Sequence, residues 1–211
     1  FCNDKIMTLG GEGGMITTRS KKLYQFCEKF NNHGKNFTKY RSNKSLQSFP
    51  YIHDSIGSNY RLTEMQSALG IYQLGRLEDW HAKRARNASI FIKAIEDLSI
   101  VHCPTLPSNV THAWYKLYLT LNPLLIKKNY NRHKIIAELN NLNVPAGFGG
   151  SGEMYREKAF HKLGHGSLFR LTNGRFLEDN SLLMMVHPTI TRSECVRRAH
   201  ILRAILKNAQ K

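Results

Sequence analysis

Lys5 stands just ahead of the run Gly10-Gly11-Glu12-Gly13-Gly14, so a primary amine precedes a backbone able to turn sharply and approach a ligand closely. Such an amine can form a Schiff base with a carbonyl cofactor once burial or a neighbouring cation lowers its pKa below the free value of about 10.4. The same residues also describe a solvated lysine beside a flexible turn, and the segment taken alone leaves both readings open. It does not fit the phosphate-binding loops. No Gly-Lys-Ser/Thr ending follows the glycines, and no strand with a βαβ unit can be placed ahead of them. Metal chemistry finds no support either: Cys2, Cys27, Cys103 and Cys195 lack CxxC spacing, and the ten histidines lack HExxH spacing. No metal is expected, and the cysteines read as reduced thiols.

The elements that would position Lys5 follow from periodicity and capping. Met15-Ile16-Thr17-Thr18 reads as a short strand. Ser20 is placed to cap a helix carrying Leu23, Phe26, Cys27 and Phe30 at helical spacing, and Asn31-Asn32-His33-Gly34 ends it. Residues 35–58 read as an irregular loop of a length that often carries function. Thr63-Glu64-Met65-Gln66 has the form of a capping box, opening a long helix over about 62–100. Ala68, Leu69, Ile71, Tyr72 and Leu74 cover more than one face of its start, which argues for burial against a domain or a subunit partner. Leu77, Trp80, Ala88, Phe91, Ile95 and Leu98 then form a single core-facing stripe.

Pro104 and Pro107 mark a boundary, which divides the chain into residues 1–103 and 104–211. In the second part, 112–121 reads as a strand, 132–141 as a helix, 144–152 as a glycine-rich loop and 182–186 as a buried strand. Thr191-x-x-Glu194 reads as a second capping box, opening a terminal helix with Cys195, Ala199, Leu202 and Leu206 on one side. That order implies a small α+β layer.

Composition bounds the function. The 211 residues could bury a substantial core, and no apolar run is long enough to span a bilayer. With no secretory signal at the first residues, a cytoplasmic location is the default expectation. The net charge of +16 makes a polyanion a candidate partner. The basic residues are nevertheless dispersed in modest clusters such as Lys83, Arg84 and Arg86, with no RNA- or DNA-binding signature. A solvated basic surface, suited to a phosphorylated substrate, is the preferred reading over a nucleic-acid-binding module.

Taken in order, the motifs resemble the DegT/DnrJ/StrS-type sugar aminotransferases. Phe1-Cys2-Asn3-Asp4-Lys5 is similar to the family's Ser-Phe-His-x-x-Lys segment, and Gly10-Gly11-Glu12-Gly13-Gly14-Met15 to its glycine signature. Asn32-His33-Gly34 resembles its helix end, Gly57 to Ala68 its G-x-N-x-R-M-T-E-x-Q-A-A run, and His112-Ala113-Trp114-Tyr115 and His187-Pro188-Thr189 its later landmarks. The resemblance implies an α/β fold, the C-terminal part of a fold type I pyridoxal-phosphate-dependent transferase. Residues 1–103 would be the end of the large domain and 104–211 a small α+β domain.

It further implies that Lys5 holds pyridoxal 5'-phosphate as an imine and acts as the proton-transferring group. Asn59 would reach the cofactor phosphate of a neighbouring subunit, placing the site at a homodimer interface. Arg61 would support that loop, meet substrate phosphate or make a salt bridge at the helix start, and Tyr155 would contact substrate. The expected reaction is transamination of a nucleotide-linked ketosugar, with glutamate as donor, for amino-sugar or surface-polysaccharide synthesis. Histidine replaces the lysine in the family's dehydrating branch, so Lys5 favours transamination. Cys2 stands where the family has histidine, and the loop Gly147 to Tyr155 departs from the common pattern, which leaves the sugar open.

Family members are nearly twice this length, and the cofactor's stacking residue, phosphate turn and pyridine-pairing Asp would precede Phe1. The 211 residues alone are accordingly expected not to transaminate, since the lysine by itself cannot supply the electron-sink environment. A noncatalytic relative of the family is the other reading.

Overall fold

A computed structural model describes residues 1–42, 51–164, 166 and 169–211. The chain divides into two compact units, Phe1–Leu77 and Glu78–Lys211. That division falls earlier than the Pro104 to Asn109 segment, because the helix before those prolines places most of its length in the second core.

In the first unit, α1 (Lys21–Asn31) starts at Ser20, whose hydroxyl accepts from the Leu23 N–H, and ends at Asn32. The chain turns there through His33 (φ 56°) and Gly34 (φ 78°). α2 (Phe37–Ser42) lies inside the stretch read as irregular; the rest of that stretch up to residue 50 lies outside the described residues. α3 (Glu64–Leu74) opens on a complete capping box, with Thr63 and Gln66 each satisfying the other's backbone N–H. The strand expected at Met15 to Thr18 does not form: no ladder partner lies beside it, and Met15 and Ile16 are both 71% exposed. The long helix is likewise two helices, broken after Leu74 at Gly75, with α4 (Leu77–Ile95) following.

The second unit is a four-stranded antiparallel sheet covered by helices. β1 (Val101–His102), β2 (Leu117–Leu121), β4 (Ser181–Met184) and β3 (Ala146–Phe148) lie side by side in the order β1-β2-β4-β3. Leu119 pairs with Leu182 across the centre, and Gly147 with Leu183 at the edge. α5 (Arg132–Asn141) spans the residues expected from periodicity, with Asn131 as its cap. α6 (Lys158–Lys162) and α7 (Thr172–Asn180) occupy the long connection from β3 to β4. α8 (Arg192–Ala209) closes the unit, and Thr191 accepts from the Glu194 N–H, but the Glu194 carboxylate turns to Arg197 and Arg198 rather than back to the cap.

Ala88, Phe91 and Ile95 of α4, Leu139 of α5 and Leu202 of α8 bury themselves against Leu117, Leu119 and Leu182 of the sheet, all at or near zero exposure. The expected strand 112–121 begins only at Leu117. Its first half is a turn held by Trp114 at φ 48°. Conversely, the glycine-rich loop 144–152 contains β3, an edge strand that three residues with two small side chains do not announce. Among the described residues, no helix is long and apolar enough to cross a membrane, and no cluster of three potential metal ligands is found.

Candidate functional site

Lys5 lies on a turn closed by its own N–H, which donates to the Cys2 carbonyl at 3.1 Å. The Cys2 thiol in turn donates to Asp4 Oδ1 at 2.9 Å. Lys5 is exposed, whereas Leu9, four residues on, is only 3% exposed. Leu9 is the anchor. A Cβ on Gly70 of α3 would come within 2.7 Å of one Leu9 methyl, and a Cβ on Gly13 within 2.9 Å of the other. Only glycine at both positions lets the leucine seat this closely.

Two polar contacts complete the attachment to α3. The Thr8 N–H donates to Gln73 Oε1 at 2.8 Å, and Gln66 Nε2 donates to the Glu12 carbonyl at 3.1 Å. Gln66 is also the reciprocal member of the α3 capping box, so one side chain couples the helix start to the glycine run. The lysine segment is therefore a turn fixed at its base and open at its tip, with Gly10 (φ 71°) supplying the left-handed step in between.

Asn59 and Arg61 stand on a second segment of the same unit, docked against the end of α1. The Ser58 N–H donates to the Phe30 carbonyl, the His33 N–H to the Ser58 carbonyl and the Tyr60 N–H to the Asn31 carbonyl, at 2.8, 3.1 and 3.1 Å. A Cβ on Gly57 would lie 2.5 Å from the Gly34 nitrogen, so this pairing also needs a glycine. Asn59 Oδ1 accepts from the Arg61 N–H at 3.3 Å, and Arg61 donates to Asn32 Oδ1 at 2.8 Å. Of the three sequence expectations for Arg61, loop support is the one its contacts match, and among the described residues no ion pair holds it. Asn59 and Arg61 both remain exposed. A cavity of about 580 Å³ between α1 and α2, lined by Tyr24, Lys29, Phe37 and Arg41 among others, includes none of Lys5, Asn59 or Arg61.

Tyr155 belongs to the second unit, and its hydroxyl is engaged twice. It donates to Glu153 Oε1 at 2.5 Å and accepts from the Leu171 N–H at 2.8 Å. Burial, then the adjoining Glu153 carboxylate, push this phenol up from its ordinary value. The other late landmarks of the sequence meet around a buried guanidinium. Arg84 is 3% exposed and donates to the carbonyls of Trp114 and Tyr115 at 3.3 and 2.9 Å. His112 Nδ1 accepts from the Trp114 N–H at 2.9 Å, and the His112 carbonyl lies 2.7 Å from His81 Nε2. Burial holds Arg84 below its ordinary pKa; burial, then the Arg84 charge, does the same to His187. Sequence reading passed over Arg84 and Glu153, because a single charged residue in a helix or loop carries no local sign of burial.

The exposed donor set of the first unit suits an aldehyde with a phosphate: a primary amine on a fixed turn, an amide and a guanidinium. The partner of a pyridine nitrogen is not assigned among these residues.

A family model described as the DegT/DnrJ/EryC1/StrS aminotransferase family matches residues 1–202. The X-ray structure of the aminotransferase from Psychrobacter cryohalolentis superposes with a TM-score of 0.93 at 37% identity, covering 99% of this chain and 55% of that one. GDP-perosamine synthase of Escherichia coli O157:H7 is 36% identical over 102 residues, 48% of this chain and 25% of that protein. The dTDP-4-dehydro-2,6-dideoxy-D-glucose 3-dehydratase of Saccharopolyspora spinosa is 22% identical over 196 residues, 86% of this chain and 42% of that protein. The chain thus spans about half the length of that solved structure and less than half of the two relatives.

Proposed function

The chain belongs to the DegT/DnrJ/EryC1/StrS aminotransferase family, and from that premise we propose that it serves pyridoxal-phosphate-dependent transamination of a nucleotide-linked ketosugar, with glutamate as amine donor. The observation that carries this reading is Lys5 itself: an exposed amine at the tip of a turn whose base is seated on α3 by Leu9, Gln66 and Gln73. A fixed base with an open tip is what an amine needs to alternate between holding a cofactor and moving a proton at a substrate carbon.

Pyridoxal phosphate, when bound, supplies the electron sink for breaking the bond to the substrate α-hydrogen. Lys5 would anchor the cofactor aldehyde and, once displaced by an amino substrate, take the proton from the α carbon as a tethered base. Asn59 and Arg61 would meet phosphate groups, the Asn59 amide donating while its Oδ1 stays on the Arg61 N–H. A guanidinium and an amide N–H are suitable donors for phosphate oxygens. Residues 1–103 would be the end of the large domain and 104–211 the small one. A second subunit would cover the exposed apolar positions of α3, among them Ile71, Tyr72 and Leu74, with 57–93% of the side-chain-bearing surface open at positions such as Leu74 and Ile56. A nucleoside diphosphate suits the net charge of +16.

Several relatives carry sugar or polysaccharide names, including a 3-dehydratase. Lys5 in the cofactor position favours amine transfer over dehydration. The 211 residues on their own are expected not to turn over substrate. The test is spectroscopic: the full-length protein mixed with pyridoxal phosphate should develop the visible absorption of a lysine-bound cofactor, and Lys5→Ala should not. A band of equal strength in Lys5→Ala removes Lys5 from this role.

A further inference from the structure

Glu153 is 4% exposed, yet it carries a charge in a segment otherwise made of glycines and surface residues. Its carboxylate takes the Tyr155 hydroxyl at 2.5 Å on Oε1, and Arg170 approaches both oxygens, with Nε 3.0 Å from Oε1. Arg156 adds a longer contact at 3.4 Å. The Leu171 N–H then donates to the Tyr155 hydroxyl. Residues 153–156 and 170–171, the two ends of one excursion containing α6, are thereby tied through a single carboxylate.

The backbones beside it touch as well. A Cβ on Gly152 would fall 2.2 Å from the Gly174 carbonyl oxygen, and one on Gly174 would fall 2.7 Å from the Gly152 oxygen. A bidentate guanidinium on a buried carboxylate fixes geometry as well as charge. The bond from Arg170, opposed by burial, sets the Glu153 carboxyl to about 2, so it is ionised at any physiological pH.

We infer that Glu153 is a positioning residue: it locks the 153–171 excursion in one conformation and thereby sets how well a sugar substrate is taken up, while leaving the amine chemistry at Lys5 untouched. The lock stands on the contacts above; its link to sugar uptake rests on the aminotransferase reading. Tyr155, whose hydroxyl is filled on both sides, serves the same lock rather than a ligand.

Two measurements separate these parts. Trypsin has sites at Arg156, Lys158, Lys162 and Arg170. Cleavage there in Glu153→Gln should be about tenfold faster than in the wild type, as expected when removal of the charge weakens closure by about 1.4 kcal/mol. Tyr155→Phe, which keeps the carboxylate–guanidinium pair and the fold, should give a smaller increase. In the cofactor-loaded full-length protein, the half-reaction with glutamate should be unchanged in Glu153→Gln. The half-reaction with GDP-4-keto-6-deoxy-D-mannose or dTDP-4-dehydro-2,6-dideoxy-D-glucose should need about tenfold more sugar at similar maximal rate, and Glu153→Asp should recover part of it. Unchanged cleavage in Glu153→Gln overturns the lock. Faster cleavage with equal loss in both half-reactions overturns the positioning role in favour of general destabilisation. Failure of the wild type to react with glutamate removes the aminotransferase reading and the sugar role with it, while the cleavage ratio still decides the lock.

Discussion

The two units are stabilised in different ways. Within Glu78–Lys211, Phe91, Leu117, Leu182 and Leu202 have no exposed surface, and one continuous core joins the sheet to α4, α5 and α8. Within Phe1–Leu77, the buried hydrophobic residues among those described are Leu9 and Ile52, while Met65 and Ile71 are 83% and 74% exposed. That unit is shaped by caps, glycine contacts and hydrogen bonds, and it holds the candidate cofactor lysine. A core that closes on itself makes a platform; a segment that leaves its apolar faces open depends on a cover to complete it.

Both tryptophans, Trp80 and Trp114, lie in the second unit, so tryptophan fluorescence reads that unit alone. Phe91→Ala should lower its stability by about 3–5 kcal/mol, seen as an earlier urea midpoint by fluorescence. Gly34→Ala should cost the first unit about 3 kcal/mol, since the new Cβ would meet the Ser55 carbonyl oxygen at 1.5 Å in a left-handed conformation. Faster amide exchange around Ser55 and Gly57, with no shift in the tryptophan transition, is the expected outcome; a joint shift would mean that the units unfold as one.

Loss of a cap gives a smaller change on both sides. Thr63→Ala and Thr191→Ala should each cost about 1 kcal/mol, the first read by exchange in α3 and the second by fluorescence. Acid should also separate the units. Glu153, Glu194 and Asp97 have carboxyls lowered to about 2, by Arg170, by Arg197 with Arg198, and by Arg203 respectively. Because these folded values lie below the ordinary 4.5 and 3.8, their contribution is complete above the ordinary values and is lost as pH falls towards about 2. The fluorescence transition should accordingly fall within that window and move to higher pH in Glu153→Gln. Ile71→Ala, on an uncovered face, should change the stability of the 211-residue chain by less than about 0.5 kcal/mol.

Where a local signal decides structure, the sequence was readable. The Thr63 box, the Ser20 and Asn131 caps and the stripe Ala88-Phe91-Ile95 all depend on neighbours three or four residues away. What depended on distant partners was not. Met15 and Ile16 look like strand residues, but a strand needs a ladder, and β3 formed from unpromising residues because β4 offered an edge. The Arg84 and Glu153 contacts reach 30 and 17 residues along the chain. Lys5 and Asn59 were singled out by ordered motifs, and the structure adds how rigidly the backbone around each is held.

The central claim is that Lys5 is the residue to which the cofactor attaches. Borohydride reduction of the full-length protein with pyridoxal phosphate, followed by peptide mapping, tests it most directly. The account predicts one pyridoxyl group on the peptide carrying Lys5 and none on the many other exposed lysines. Label spread over those surface lysines, or concentrated on another one, would contradict it.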